Sequence, residues 1–150
     1  MDKTHILFDL DGTLTDPGIG ITNSVAHALA HFGITVTDRT QLYRFIGPPL
    51  LDSFRNLLHV PEERMDEAVE SYKRHFAEEG MYRYQVYPHI RSILQMLRDG
   101  GVHVGLATSK DRFIARRVMD YFGLSHYFDA IIGENDANAK LGKPELIRRA

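Results

Sequence analysis

The chain has no cysteine, which excludes disulfide frameworks, thiolate zinc sites and cysteine nucleophiles together and suits a reducing compartment. It has no long apolar run. Ile6-Leu7-Phe8, the longest near the start, is far too short for a signal-peptide core or a membrane span. It has no excess of positive charge: 18 Lys+Arg stand against 20 Asp+Glu, a formal net charge of -2, so no surface for nucleic acid or an anionic membrane is indicated. Internal repeats and low-complexity tracts are missing, and so is the Gly-Lys-Ser/Thr of a nucleotide P-loop. The 8 histidines are scattered, with no His-Glu-x-x-His spacing for a metal. What is there is 150 residues, 43% hydrophobic and 25% charged, the composition of an ordinary globular protein with one sizeable core. The expected setting is the cytoplasm.

His5-Ile6-Leu7-Phe8-Asp9-Leu10 is an apolar run that stops at an Asp-Gly turn signal, as expected of a buried strand in a parallel sheet. Ile21, Val25, Ala28, Leu29 and Phe32 then recur at helical spacing before Gly33. Asp38 and Gln41 stand in capping-box spacing ahead of a second helix bearing Leu42, Phe45 and Ile46, which stops at Gly47. A third helix carries Leu50, Phe54, Leu57 and Leu58, and a fourth, opened by Pro61, carries Met65, Val69, Tyr72 and Phe76. Residues from about 19 to about 80 therefore read as a small helical bundle. Beyond it helix and strand alternate. A helix bearing Ile90, Ile93, Leu94 and Leu97 precedes a strand from Val102 to Thr108, and a helix bearing Ile114, Val118 and Phe122 precedes a strand from Phe128 to Ile132. The pattern predicts a doubly wound, Rossmann-like α/β core, in segments 1–16 and 85–150, interrupted by a helical insert at 17–84.

The most informative feature is Asp9-Leu10-Asp11-Gly12-Thr13 at the end of the first strand. Carboxylates spaced i, i+2 leave a strand on the same side, so Asp9 and Asp11 can face one site at the carboxyl edge of the sheet. One can bind metal or attack while the other moves protons. Gly12 permits a sharp turn, and Thr13 offers a hydroxyl or amide to an anion. A calcium EF-hand starting at Asp9 fails, because Leu14 and Gly20 stand where Gly and Glu are needed.

Phe8-Asp9-Leu10-Asp11-Gly12-Thr13-Leu14 resembles the first signature of the haloacid dehalogenase superfamily. Gly105-Leu106-Ala107-Thr108-Ser109-Lys110 resembles the second, a Thr or Ser closing a hydrophobic strand, and Lys143-Pro144-Glu145 resembles the third, a Lys at a helix start, with Lys140 a nearby alternative. Thr15-Asp16-Pro17, His31-Phe32-Gly33 and Phe45-Ile46-Gly47-Pro48-Pro49-Leu50 are similar to the helical cap of the phosphoglycolate-phosphatase-like branch.

The resemblance implies a phosphatase of small phosphate monoesters, phosphoglycolate- or nucleotide-like, working through an aspartyl-phosphate. Asp9 would be the nucleophile and Asp11 the proton donor and acceptor. Thr108 would hydrogen-bond a phosphoryl oxygen, and Lys143 would neutralise charge. Mg2+ is the implied cofactor, taken by Asp9 and by the backbone carbonyl of Asp11. Gly12, Thr13, Ser109 and Lys110 would help bind substrate, and so would Gly47 and Pro48, in a loop resembling one that enters the active site of capped relatives. The expected partner is a small phosphorylated metabolite, without nucleic acid or membrane, in a monomer or homodimer.

Two other readings share the core: a phosphomutase or phosphonate-cleaving relative, and a non-catalytic fragment or binding module. The family's fourth signature, an acidic pair beyond the Lys, has no counterpart. The core is therefore expected to be C-terminally incomplete, with the functional protein continuing past Ala150.

Overall fold

The computed structural model describes residues 4–48, 50–58 and 60–134, with Pro144, Ile147 and Arg148. Along the chain these form β1 (His5–Phe8), β2 (Thr15–Asp16), α1 (Gly18–His31), α2 (Leu50–Leu58), α3 (Met65–Glu78), β3 (Gln85–Val86), α4 (Ile90–Asp99), β4 (His103–Asp111), α5 (Arg112–Tyr121) and β5 (Ala130–Glu134). The chain divides into two compact units, Pro17–Tyr84 and the pair of flanking segments, Met1–Asp16 with Gln85–Ala150.

The flanking segments build a parallel sheet in the order β1-β4-β5, and α4 and α5 pack against it. β1 pairs with β4 from His5↔His103 to Phe8↔Leu106, and β4 pairs with β5 from Gly105↔Ala130 to Ala107↔Ile132. Leu10, Leu14, Leu94, Leu106, Val118, Met119 and Leu124 are fully buried, each contributing about 1.5–3 kcal/mol of transfer free energy against exposure. α5 starts where Asp111 accepts a hydrogen bond from the Ile114 amide at 2.9 Å, an N-cap that satisfies one orphan donor of the first turn. α4 stops at Gly100 and Gly101, the latter at φ +70°.

The strands differ from the sequence expectation at their ends, and β1, expected to be buried, alternates exposed and half-buried residues, with Leu7 39% exposed. β1 stops at Phe8 rather than Leu10, because the Leu10 carbonyl turns away to accept from the amides of Thr13, Leu14 and Thr15 at 3.3, 3.0 and 3.1 Å. β4 runs past Thr108 to Asp111 through a register shift. β5 begins at Ala130 rather than Phe128, since Ser125–Tyr127 forms a 3-10 turn whose exit residue is Phe128. The pairing of β2 with β3, Thr15↔Val86 and Asp16↔Gln85, is too short to leave a periodic signal.

In the helical unit α1 packs on α3 and on the 3-10 turn Gly80–Arg83. The approach is so close that a Cβ on Gly20 would overlap the Gly80 carbonyl oxygen, and one on Gly80 would lie 2.5 Å from Ser24 Oγ. The core is a chain of rings: Phe45 to Phe54 at 5.7 Å, Phe54 to Tyr72 at 6.4 Å, Tyr72 to Phe76 at 5.6 Å and Phe76 to Tyr84 at 6.0 Å. Edge-to-face and offset pairs of this kind add to plain burial. The segment expected as a helix after Asp38 is instead a 3-10 helix, Arg39–Phe45, and the Asp38 carboxylate serves the Thr40 amide and hydroxyl at 2.9 and 2.6 Å rather than closing a box with Gln41. Only seven residues separate this cap from Ile46, too few for a long α-helix to outcompete the tighter turn.

Candidate active site

Every described candidate residue of the α/β unit sits at the carboxyl edge of the sheet, where an open α/β fold places its ligand crevice. Asp9 follows the last residue of β1, and its Oδ1 accepts a hydrogen bond from the Leu10 amide at 2.8 Å. Leu10 between the two carboxylates is 0% exposed, while Asp9 and Asp11 are half-buried. Gly12 at φ +79° then reverses the backbone, and its amide donates to the Thr15 carbonyl at 2.8 Å. This left-handed conformation carries little steric cost in glycine. Thr13 beside it is exposed.

The other half of the site comes from β4. Between Ala107↔Ile132 and Asp111↔Glu134 the strand carries Thr108, Ser109 and Lys110 against Gly133 alone on β5. Such a bulge bends a strand and re-aims its side chains. The opposing glycine is required, since a Cβ on Gly133 would stand 2.6 Å from the Lys110 carbonyl oxygen and 2.8 Å from Arg112 Cα. Within the bulge Thr108 is buried and its Oγ1 accepts from the Lys110 amide at 3.3 Å, whereas Ser109 is exposed. Lys110 folds back to the first loop and places Nζ 2.9 Å from Asp11 Oδ2. Asp11, Thr108 and Lys110 are thus brought into one connected group, beside the strand end that carries Asp9.

Gly47 and Pro48 lie in the helical unit, exposed, between the 3-10 helix Arg39–Phe45 and α2, with Gly47 at φ +105°. Lys143 and Lys140 lie outside the described residues. Sequence reasoning named Lys110 only as a substrate ligand and missed its contact with Asp11. It also missed Gly133, although a glycine inside a strand pattern is itself a bulge signal.

The donors on offer at the strand end are carboxylate and carbonyl oxygens, with no sulfur or imidazole among them, which is the chemistry of a hard divalent cation. Among the described residues no group of three acidic or histidine side chains gathers to hold a metal. Two carboxylates and a main-chain carbonyl near one strand end suit a cation that retains waters and borrows substrate oxygens.

Residues 6–150 match the model of the haloacid dehalogenase-like hydrolase family. The chain belongs to this family. Among similar proteins, a 5'-nucleotidase of Pseudomonas aeruginosa is 43% identical over 96% of this haloacid dehalogenase-like chain and 65% of its own length. The tyrosine-protein kinase PtkA of Mycobacterium tuberculosis is 32% identical over 97% of this chain and 49% of its own. A haloacid dehalogenase-like family hydrolase from Streptococcus pneumoniae superposes with a TM-score of 0.87 at 32% identity, covering 97% of this chain and 67% of that one. The chain spans from about half to about two thirds of the length of these relatives. Among the described residues no helix is long and apolar enough to cross a membrane.

Proposed function

We propose that this protein is a magnesium-dependent phosphatase of small phosphate monoesters, acting in the cytoplasm through an aspartyl-phosphate on Asp9. The observation that carries the reading is the joining of Asp11 to the β4 bulge through Lys110, beside the end of β1. Two carboxylates, a hydroxyl and an ammonium at one sheet edge are what displacement at an anionic phosphorus requires. A nucleoside monophosphate is the substrate class favoured by the likeness to the 5'-nucleotidase.

In the first half-reaction an Asp9 carboxylate oxygen attacks phosphorus, the bond from phosphorus to the substrate alcohol breaks, and Asp11 delivers a proton to the departing oxygen. In the second, Asp11 takes a proton from water, the water oxygen attacks phosphorus, and the bond to Asp9 breaks to release inorganic phosphate. Lys110 orients Asp11, and Thr108 donates its hydroxyl to a phosphoryl oxygen. Asp9 and the Asp11 carbonyl would hold Mg2+, which when bound screens the charge between carboxylate and phosphate.

Phosphate release from a panel of nucleotides, phosphoglycolate and p-nitrophenyl phosphate, with and without magnesium, tests the reading. Turnover that needs magnesium and is lost in Asp9→Asn with an unchanged melting curve is expected. Turnover retained in Asp9→Asn would overturn it.

A further inference from the structure

The helical unit contains a cleft of about 380 Å³ between α1 and α3, a volume in the range of small-molecule sites. Its walls carry Asn23 and His27 from α1, His75 and Glu79 from the end of α3, and Arg39 and Arg83 from the two flanking 3-10 segments. Ala26 and Ala30 keep the α1 wall low. We propose that this cleft binds a small oxyanion, a phosphate or carboxylate group, clamped by Arg39 and Arg83 over the paired imidazoles of His27 and His75. The proposal does not depend on the phosphatase reading, since all the residues it uses belong to Pro17–Tyr84.

The cations are arranged for an anion. Arg39 Nη1 donates to the Thr22 carbonyl at 3.3 Å and to Asn23 Oδ1 at 3.2 Å. Those contacts fix the guanidinium by one of its nitrogens and leave the rest of its donor fork for an oxyanion, which it can take bidentately. The His27 and His75 rings lie 4.4 Å apart at 30°, and two imidazolium ions so close repel each other unless a negative charge joins them.

Hydrogen bonding identifies which nitrogen of His75 responds. Ser24 Oγ lies 2.8 Å from the Gly20 carbonyl and 3.0 Å from His75 Nδ1, and with the hydroxyl proton on the carbonyl the ring donates from Nδ1, which leaves Nε2 as the nitrogen that gains a proton. Its acidic neighbour there, Glu79 Oε2, is 4.0 Å away on a side chain 67% exposed, a geometry that contributes little. The charged groups acting on His75 are His27 on α1, Glu78 at the end of α3 and Glu79 just past it, and Arg39 and Arg83 line the same cleft. Burial, and then the His27 charge, holds His75 below the ordinary histidine range, with Glu79 and Glu78 opposing. A bound oxyanion acts in the direction of the glutamates. Binding is thus coupled to proton uptake at His75, and affinity falls as pH rises.

The test is histidine side-chain NMR on the full chain, titrated separately with inorganic phosphate and with succinate, without added metal. The His27 and His75 ring signals are expected to move together and saturate, with affinity for succinate, whose own charge hardly changes in that span, falling roughly tenfold between about pH 6 and about pH 8. Arg39→Gln with Arg83→Gln should weaken binding at least about tenfold. Arg83→Gln alone changes an exposed residue and keeps the test valid if the double variant melts early. Asp9→Asn should leave the two histidine responses intact, which separates them from phosphate held at the sheet edge. Saturation by one titrant alone identifies phosphate or carboxylate as the ligand chemistry. Ring signals that stay still, move equally in the arginine variants, or respond with the same affinity across that pH span would overturn the proposal.

Discussion

Lys110 Nζ and Asp11 Oδ2 are 2.9 Å apart, on side chains only 14% and 21% exposed, so a bulge in β4 grips the loop that follows β1. A pair this shielded is screened less by solvent than a surface ion pair, and removing one member costs more. In the proposed mechanism it also fixes the direction in which Asp11 presents its proton.

Lys110→Met keeps the length of the side chain and removes its charge. The expected result is a loss of about 10²-fold in kcat, the scale of one mispositioned proton-transfer group, with a clear fall in Tm because Asp11 loses that cation. Asp11→Asn should lose far more on alkyl phosphates than on p-nitrophenyl phosphate, whose leaving group needs no proton. Steady-state phosphate release with both substrate types checks the pair, and equal losses on both would remove Asp11 from the acid role.

Gly133→Ala tests the bulge itself. The added methyl meets the Lys110 carbonyl oxygen at 2.6 Å and the Arg112 backbone at 2.8 and 2.9 Å, and backbone cannot yield as a side-chain tip does. A cost of about 1–3 kcal/mol is expected from overpacking. Turnover should fall by at least about tenfold even well below the melting temperature, because the shift is delivered to the segment that carries Lys110. Urea unfolding and kcat measured on the same preparation separate the two effects.

Gly20→Ala should destabilise the helical unit although alanine is the better helix former. The propensity gain is about 1 kcal/mol, but the new Cβ overlaps the Gly80 carbonyl oxygen and the helix must move off its neighbour. A net loss of about 1–2 kcal/mol is expected, read as a lower urea midpoint. A midpoint at or above the parent's would show that the two backbones are not held together as described.

Acid should weaken the fold partly through Asp129. Its carboxylate accepts from the Val104 amide at 3.0 Å, from Arg98 at 2.7 Å and from His103 at 3.3 Å. These partners, the Val104 amide first, hold its pKa below the ordinary 3.8. A carboxyl more acidic in the folded than in the unfolded chain contributes fully above that ordinary value, and the contribution is lost as pH falls through the lower, folded one. Between neutral pH and about pH 3 the parent should therefore lose more stability than Asp129→Asn, measured as urea midpoints across that span. Parallel curves would show that Asp129 is not a source of the acid sensitivity.

The sequence alone was enough to find the first strand and to put a sharp turn at Gly12, because an apolar run and a turn residue are local properties written in adjacent residues. The same holds for α1, whose positions Ile21, Val25, Ala28 and Leu29 are buried as their spacing predicts, while Phe32 of the same stripe falls just past the helix and is half-buried. Less legible was whatever depends on residues far apart in the chain. The bulge at Thr108 to Lys110 exists only because β5 offers Gly133 opposite it, and nothing within Thr108-Ser109-Lys110 marks the extra length. Asp38 is a similar case. Its spacing to Gln41 promised a capping box, but Thr40 offers both an amide and a hydroxyl nearer by, and the carboxylate takes those. The ring chain from Phe45 to Tyr84 likewise joins segments whose separate helical stripes do not say which will meet.

The burial of Leu10 between two carboxylates makes the sheet edge a matter of parity. Inserting or deleting one residue between Ile6 and Asp11 would carry the side chains beyond it to opposite faces, sending a carboxylate into the apolar layer and a leucine to the crevice. The loss of chemistry and the loss of stability would then arrive in the same step, since an isolated buried carboxylate is costly. A one-residue length change in this segment is therefore expected to abolish turnover and cooperative folding together, where a substitution such as Leu10→Met is mild.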